Sequence, residues 1–309
     1  MENLEAFLEK FKKIGIFARG GKRAPHKPLL LLYALARFQQ KRDKYITFTE
    51  AEKDVEPLIN LYRPWSKTPS SVSYPFGRLA NDSQDIWKVD SLPNMVDKSG
   101  NIRVSSARSV DLKAGFTDDV LAVLEKHPHV IENVAGYLLS HHFAPSLHEE
   151  ILDAVGLEVG GGTAKTDDLV SVERRKRNPE FRREVMDAYF EQCCFCGFDM
   201  KIKGSGNALA LEAAHIQWHA AHGPDAVVNG LALCALHHRL FDFGALTVTT
   251  EHTIYVSEQI VGDWARKLTE EFQTKRIREP RKAEYAPAKE YLQWHHTQVF
   301  KGDLEENYV

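Results

Sequence analysis

The spacing of apolar residues predicts one helix at the start of the chain and a second, buried helix soon after it. Between Leu4 and Ile14, apolar residues recur at intervals of three and four, which places them on one helical face. The run 29–38 is apolar on nearly every side, so we expect it to form a helix at the centre of a core. Pro28 suits the first turn of that helix, because N–H groups there have no partner within the helix.

Shorter patterns predict strands and helix starts further along. Residues 45–48 and 85–90 have the composition of short strands. Thr49 with Glu52 has the spacing of a capping box, and Ser146 stands where a helix N-cap is expected. The first half of the chain should therefore be mainly helical, with a few short strands.

A glycine-rich stretch divides the chain. Residues 156–168 contain three consecutive glycines and few large apolar residues, which is typical of a linker. After it, the pattern predicts a helix at 178–192, strands at 246–249 and 253–257, and closing helices at 261–273 and 287–300. We predict three parts, with these bounds: a first domain at 1–155, a linker at 156–177 and a second domain at 178–309.

Composition excludes few classes of protein. The 309 residues carry a net charge of −3, so a surface for nucleic acid must be a local basic patch. No apolar run approaches the roughly 18 residues that a membrane span needs, and the N-terminus lacks the apolar core of a signal peptide. We therefore expect a cytoplasmic protein, and clustered cysteines in a reducing compartment favour metal binding over disulfides.

All four cysteines fall in one short region, in the company of histidines. Cys193 and Cys196 form a C-x-x-C pair, and Cys234 and His237 form a C-x-x-H pair. Two such pairs supply the four ligands of a tetrahedral zinc ion. A zinc site closed by four protein ligands is structural, so we expect Zn²⁺ to stabilise the fold. Cys194 is then the one cysteine that is not a ligand.

Three further residues, His215, Asn229 and His238, follow one another at 14 and 9 positions. Together with the cysteine pairs they resemble the HNH endonucleases, whose core is a ββα-metal fold, over residues 187–243. The resemblance implies that His215 is the general base and that Asn229 holds the adjoining loop and orients this base. It also implies that His238 binds a catalytic divalent cation, such as Mg²⁺ or Mn²⁺. Histidine suits the deprotonation of water near neutral pH, and a cation offsets charge on a phosphate.

One position departs from the family pattern. Many members have an acidic residue directly before the base, as a second ligand of the catalytic metal, whereas this chain has Ala214. Glu212 lies three residues before His215, so strand alternation puts the two on opposite faces unless the strand bulges. Asp242 lies one helical turn after His238 and could share its face. The sequence leaves both carboxylates as candidates.

A basic loop in the first domain points to DNA. Five residues with basic side chains lie within nine positions of one another and are mixed with glycines, which let backbone N–H groups approach a phosphate. The alternative for such a loop is an ordinary solvated surface. The five are Arg19, Lys22, Arg23, His26 and Lys27.

Segments 23–28 and 74–79 resemble the sulfur-binding domains that accompany HNH cores in McrA-type type IV restriction endonucleases. These domains recognise DNA with a phosphorothioate, in which sulfur replaces a non-bridging phosphate oxygen. The resemblance covers residues 1–155. It implies a pocket in which apolar faces and aliphatic stems contact the weakly hydrated sulfur. The implied pocket and DNA-contact residues are Pro25, His26, Lys27, Tyr74, Arg78, Arg23 and Arg19, although the family often has a small residue at the position of Arg78.

The sequence thus predicts an α+β protein, with a mainly helical DNA-reading domain before a zinc-containing ββα-metal nuclease domain. We expect a modification-dependent restriction endonuclease that acts on double-stranded, phosphorothioated DNA. A homodimer is expected because cutting both strands needs two active sites. Two alternatives stay open. One is an HNH endonuclease directed to methylated, hydroxymethylated or unmodified DNA, with Trp65, Tyr62 and Tyr74 as a cage for a flipped base. The other is a non-catalytic, zinc-containing DNA-binding protein.

Overall fold

A computed structural model of the chain describes residues 4–14, 22–90, 95–97, 101–159, 179–203 and 208–303. The chain divides into two compact units, and each mixes helices with small antiparallel sheets. This mixture confirms the predicted α+β class. The first unit comprises Met1–Arg63, Thr68–His142 and His148–Arg174, and the second comprises Pro64–Lys67, Phe143–Leu147 and Arg175–Val309.

Helices dominate the first unit. They are α1 (Leu4–Lys12), α2 (His26–Lys41), α3 (Phe48–Asp54), α4 (Glu56–Tyr62), α5 (Ser73–Asp82), α6 (Val104–Val110), α7 (Asp118–Lys126), α8 (His129–His142) and α9 (His148–Val155). Its strands are β1 (Ile46–Thr47), β2 (Trp87–Val89) and β3 (Lys113–Phe116), in the antiparallel order β1-β3-β2. Within the described ranges of both units, no helix has the length and apolar content to cross a membrane.

Helix α2 forms the centre of the first unit, as its apolar pattern predicts. Residues 29–32, four consecutive leucines, are fully buried because α4, α5, α8 and α9 cover the helix on several sides. Pro25 is the N-cap residue of α2, so Pro28 falls within its first turn. The helix therefore fixes the positions of the basic residues at its start.

The strand predicted at 45–48 forms at Ile46–Thr47, whereas the capping box predicted at Thr49 and Glu52 forms two residues earlier than expected. Thr47, with an extended backbone, accepts a hydrogen bond on its hydroxyl from the Glu50 N–H at 3.2 Å, and the Glu50 carboxylate accepts one from the Thr47 N–H at 3.0 Å. The predicted box at Thr49 and Glu52 is wrong. The N–H of Thr49 donates instead to the Asp111 carboxylate at 3.1 Å, a partner distant in sequence.

The second unit contains a ββα core. Its elements are α10 (Pro179–Ala188), β4 (Leu211–His215), β5 (Gly230–Cys234), α11 (Ala235–Asp242), β6 (Leu246–Val248), β7 (Ile254–Val256), α12 (Asp263–Phe272) and α13 (Lys289–Gln298). Strands β4 and β5 pair antiparallel over their full length without a bulge, and α11 packs against both. Strands β6 and β7 form a separate hairpin, and α13 packs on β6.

A buried histidine joins α13 to the end of α11. One ring nitrogen of His295 lies 2.9 Å from the Thr247 hydroxyl and the other lies 3.0 Å from the Phe241 carbonyl. The ring also stacks on that of Phe241, with centroids 3.6 Å apart. Both nitrogens are satisfied by neutral partners, so His295 acts as a packing residue that supports the end of α11.

The predicted linker, residues 156–177, lies outside the described residues from position 160 onward. Before that point, Glu158 still contacts α2. Its carbonyl accepts a hydrogen bond from the Gln39 side chain at 2.7 Å, and its N–H donates to the same side chain at 3.0 Å. The domain and linker boundaries themselves stay predictions.

Candidate metal centre and nuclease site

The two cysteine-containing pairs converge on one point in the second unit. The ligand atoms of Cys193, Cys196, Cys234 and His237 all lie within 4.8 Å of one another. Nδ1 of His237 lies 3.2 Å from the sulfur of Cys234 and 3.6 Å from that of Cys193. Ligand atoms around a tetrahedral zinc ion are about 3.5–3.8 Å apart, so three thiolates and one imidazole fit Zn²⁺.

Local backbone geometry brings these ligands together. Cys193 and Cys196 lie on a turn after α10, where Gly197 has a φ of 77° and its N–H donates to the Cys193 carbonyl at 2.8 Å. That left-handed conformation favours glycine. Cys234 ends β5 and caps α11, which places His237 one turn further along the helix.

The electrostatics of the cluster favour a thiolate. Hydrogen bonds from Cys196 and Cys234 lower the pKa of Cys193, and the thiolate is the form that binds metal. Burial raises the pKa of Cys194, which keeps this thiol uncharged. Cys194 is outside the cluster, and its backbone N–H pairs with the Ala232 carbonyl at 2.8 Å.

His215 ends strand β4 and is held on two sides. Its ring stacks on Phe181 of α10, with centroids 4.1 Å apart and planes 19° apart. Its Nε2 lies 2.8 Å from a carboxylate oxygen of Asp225. Burial lowers the pKa of His215, and Asp225 partly offsets this effect. A histidine kept neutral by burial is in the form that accepts a proton from water.

Asn229 holds the loop that follows His215. Its side-chain oxygen accepts a hydrogen bond from the Gln217 N–H at 2.8 Å, and its amide donates to the carbonyls of Gln217 and Pro224, both at 3.0 Å. The residue that contacts the His215 ring is Asp225, which sequence reasoning did not single out. The available signal was an acidic residue directly after a His-Gly-Pro turn, four positions before Asn229.

Both candidate carboxylates contact His238. Its Nδ1 lies 2.5 Å from Glu212, and its Nε2 lies 3.1 Å from Asp242. Burial disfavours the charged ring, yet the charges of Asp242 and Glu212 outweigh burial and raise the pKa of His238 to about 9. Without a cation, the two carboxylates therefore retain a proton on this ring.

The two carboxylates differ in access to solvent. The Glu212 side chain is 49% exposed, whereas that of Asp242 is 2% exposed. Asp242 accepts hydrogen bonds from the Trp218 ring N–H at 2.9 Å and from the Ser146 hydroxyl, which belongs to a short segment of the same unit. Ser146 lies within the 3₁₀ turn Pro145–Leu147 and not directly before α9, where its N-cap role was predicted. Of the two carboxylates, only Glu212 has room for a solvent ligand.

In the first unit, α2 and α5 carry several of the predicted pocket residues. Pro25 is buried, and the Lys27 side chain is buried with its ammonium group 2.5 Å from Asp82. Tyr74, at the start of α5, is 48% exposed. Arg78 follows one turn later, and its Nε donates to the Asn101 side chain at 2.8 Å.

The remaining predicted DNA-contact residues differ in their surroundings. Arg23 donates to the backbone carbonyls of Tyr62 at 3.0 Å and His142 at 3.3 Å, so it joins α4 to α8. Burial and the charge of Arg63 lower the pKa of His26 to about 4, and its Nδ1 has no hydrogen-bond partner among the described residues. Arg19 lies outside the described residues.

Comparison with known proteins identifies both units. The profile of the HNH endonuclease family matches residues 193–249, which include all four zinc-binding candidates together with His215, Asn229 and His238. The second unit is thus an HNH endonuclease domain. A profile described as ScoMcrA-like, DNA sulfur-binding domain matches residues 4–159, half of the chain. The protein belongs to this ScoMcrA-like family, and both resemblances noted in the sequence are confirmed.

Three solved structures are similar to part of the chain. The sulfur-binding domain of ScoMcrA complexed with phosphorothioated DNA is 23% identical, with 49% of this chain and 95% of that chain covered and a TM-score of 0.41. The corresponding SprMcrA complex is 17% identical, with 50% and 95% covered and a TM-score of 0.41. The type IV phosphorothioation-dependent restriction endonuclease ScoMcrA is 24% identical, with a TM-score of 0.41, and the match covers 49% of this chain but only 32% of that longer protein. No curated protein matches the chain.

Proposed function

We propose that this protein is a modification-dependent restriction endonuclease that recognises phosphorothioated DNA and hydrolyses phosphodiester bonds nearby. The observation that carries the proposal is the presence of a DNA sulfur-binding domain and an HNH endonuclease domain in one chain. A small nuclease core offers few contacts for choosing a target. A separate domain that reads a modified phosphate supplies that choice.

His215 is the proposed general base. Its ring takes a proton from a water molecule, whose oxygen forms a bond to phosphorus while the bond to the departing oxygen breaks. The departing oxygen then takes a proton from solvent, so the reaction consumes one water molecule. The stacking on Phe181 and the contact with Asp225 support this role because they hold the ring in one orientation.

His238 and Glu212 are the proposed ligands of the catalytic cation. The Glu212 carboxylate is the kind of ligand that Mg²⁺ or Mn²⁺ prefers, and His238 would add one nitrogen ligand. Such an ion would offset the charge that grows on the phosphate. Glu212 is favoured over Asp242 by its exposure. Asp242 is proposed to orient His238 from the buried side, because Trp218 and Ser146 already occupy its oxygens. Zn²⁺ at the cysteine cluster is proposed to be structural.

The first unit is proposed to bind the sulfur through the face formed by α2 and α5, with Arg19 and Arg23 as further DNA contacts. The exposed ring of Tyr74 supplies an apolar surface, and His26 lies at the start of α2 between Pro25 and Lys27 in the sequence. Lys27 would need to exchange its ion pair with Asp82 for the DNA phosphate. Sulfur is larger and more weakly hydrated than oxygen, so an apolar wall would favour it.

Recognition of a flipped methylated base is less well supported than recognition of phosphorothioate. Tyr62, one of the three aromatic residues considered for a cage, is 5% exposed and offers no open ring face. A homodimer on double-stranded DNA is part of the proposal, because one active site cuts one strand at a time.

A cleavage assay tests the proposal directly. Plasmid DNA with phosphorothioate, with methylated bases or without modification is incubated with the full chain and Mg²⁺ or Mn²⁺. We expect cutting of the phosphorothioated plasmid, and loss of cutting by about 10²–10⁴-fold in His215→Ala with DNA binding intact. His222→Asn serves as the control, because Asn tolerates the left-handed backbone at that loop position. Equal cutting of all three plasmids would overturn the sulfur specificity, and an unchanged His215→Ala variant would overturn the mechanism.

A binding assay tests the reading domain. Tyr74→Ala should lower the preference for phosphorothioated over plain duplexes, since it removes the exposed ring of α5. Tyr45→Ala, at another exposed tyrosine of the same unit, is the matched control and should keep the preference. Identical preferences in the two variants would contradict the assigned pocket.

A further inference from the structure

Asp225 and His215 form a close carboxylate–imidazole pair. A carboxylate oxygen of Asp225 lies 2.8 Å from Nε2 of His215, and the side chains are only 22% and 20% exposed. A charge-assisted hydrogen bond that is largely shielded from water is stronger than one on the surface. The pair therefore has the geometry to control how the ring is oriented and protonated.

The loop geometry places Asp225 at this ring. The Asn229 amide donates to the carbonyl of Pro224, the residue directly before Asp225, and also bonds Gln217 at the start of the loop. A Cβ atom at Gly223 would overlap the Gln217 carbonyl, so the close approach of these two parts of the loop requires a glycine there. Asp225 is thus held by backbone contacts on its N-terminal side.

The contact also determines which ring nitrogen accepts a proton. A carboxylate accepts hydrogen bonds and donates none, so Nε2 of the neutral ring carries the hydrogen and Nδ1 carries the lone pair. Phe181 stacks on one face of the ring and so restricts how the ring can tilt. The other groups that act on the ring are His219, with its centroid 5.8 Å away, and the charge of Asp242.

We propose that Asp225 is a positioning residue for the general base: it directs Nδ1 of His215 toward the attacking water and stabilises the ring after proton uptake. The inference rests on the proposed function of His215. When Nδ1 takes the proton of the water, the ring becomes a cation with hydrogens on both nitrogens. The carboxylate of Asp225 then faces a positive charge across the same hydrogen bond.

Two substitutions in the full, zinc-loaded chain test the proposal. Asp225→Ala removes the contact and should lower the cleavage rate about 10²–10³-fold, while leaving DNA affinity and zinc content unchanged. Asp225→Asn can still accept a hydrogen bond from Nε2 but loses the charge, so its rate should fall about tenfold. Its acid limb should also move to lower pH, because Asp225 raises the pKa of His215 against the effect of burial. Asp263→Asn, at an exposed carboxylate, is the control.

A second measurement does not depend on activity. In ¹⁵N NMR spectra of the His215 ring, the native protein should show hydrogen on Nε2, and Asp225→Asn should titrate at lower pH. An unchanged pKa and tautomer in both Asp225 variants would overturn the proposal, whether or not the chain cuts DNA. Failure of the native protein to cut any duplex, with the NMR result as expected, would instead contradict the proposed function alone.

Discussion

His237 and His238 are consecutive residues of α11, yet their rings have entirely different partners. Nδ1 of His237 lies 3.2 Å from the sulfur of Cys234, and Nδ1 of His238 lies 2.5 Å from Glu212. One short helix therefore joins the proposed zinc site to the proposed catalytic cation site. Displacement of α11 must disturb both.

Loss of a zinc ligand should destabilise the second unit and abolish cleavage. We expect Cys234→Ala to lose the bound zinc, because it removes one of four ligands. Structural zinc contributes on the order of 10 kcal/mol to the folding of small domains, so the thermal transition of the second unit should fall sharply. Metal analysis and calorimetry measure the two effects.

Cys194→Ala is the matched control for that experiment. Cys194 is buried next to the cluster but is not one of its four members. The Cys194→Ala variant should retain one zinc ion per chain, and its free energy of unfolding should fall by only about 1 kcal/mol because the side chain is smaller. Equal zinc loss in the two variants would contradict the assigned ligand set.

Glu212→Gln and Asp242→Asn should impair cleavage in different ways. Glu212 is exposed and proposed to bind the cation, so Glu212→Gln should raise the Mg²⁺ concentration needed for half-maximal rate about tenfold or more, with stability unchanged. Asp242 is buried with three partners, so Asp242→Asn should lower the free energy of unfolding by about 1–3 kcal/mol. Cleavage rates measured over a range of Mg²⁺ concentrations report the metal requirement, and chemical denaturation reports the stability of each variant. A normal metal requirement in Glu212→Gln would contradict its role as a ligand.

Gly230→Ala should destabilise the protein and slow cleavage. Gly230 pairs with His215 across the β4–β5 ladder, and a Cβ there would overlap the side chains of Val185 and Phe181. Overpacking of this kind costs about 1–3 kcal/mol and would move the ring on which His215 stacks. Gly136→Ala is the control: it lies in α8 with no atom near the added methyl, so stability should rise by about 0.5–1 kcal/mol. Thermal unfolding and cleavage rates report both outcomes.

Acid should destabilise the first unit through two buried histidines. Burial is the main cause that lowers the pKa of His26 to about 4 and that of His142 to about 3, against 6.5 in the unfolded chain. Between these values the unfolded chain binds protons that the folded chain does not, so stability is complete above pH 6.5 and falls as pH decreases toward 4. The loss is on the order of 3 kcal/mol for each histidine.

Urea denaturation of the full chain at several pH values measures this dependence. His26→Gln and His142→Gln should each flatten it, since neither variant can take up the proton at that position. His127→Gln, at another histidine of the same unit, is the control and should keep the native dependence. A pH dependence that is unchanged in both test variants would show that other groups cause the acid sensitivity.

Local spacing of residues in the sequence was sufficient to predict much of the fold and the members of the metal cluster. A C-x-x-C pair and a C-x-x-H pair bring their ligands together within one turn each, whatever surrounds them, and the structure places all four within 4.8 Å. The buried character of α2 followed in the same way from its run of leucines, because a helix that is apolar all round must be covered.

Contacts between distant residues could not be derived in this way. Arg23 is predicted from the sequence to contact DNA, and nothing in the sequence indicates that it also donates to the backbone of Tyr62 and His142. The N–H of Thr49 donates to Asp111 instead of opening a capping box with Glu52, and the Ser146 hydroxyl donates to Asp242. In each case a partner distant along the chain is involved, and only packing brings it within reach.

The sequence by itself determined that this protein joins a DNA sulfur-binding domain to an HNH endonuclease domain, because both families are recognised by short motifs whose spacing reflects local geometry. Only the tertiary structure decided how the nuclease residues are arranged. It placed Asp225 on His215 and put Glu212 and Asp242 on opposite ring nitrogens of His238. The physical reason is that hydrogen bonds and ion pairs act over about 3 Å, and such distances between separate elements are set by the packing of the whole unit.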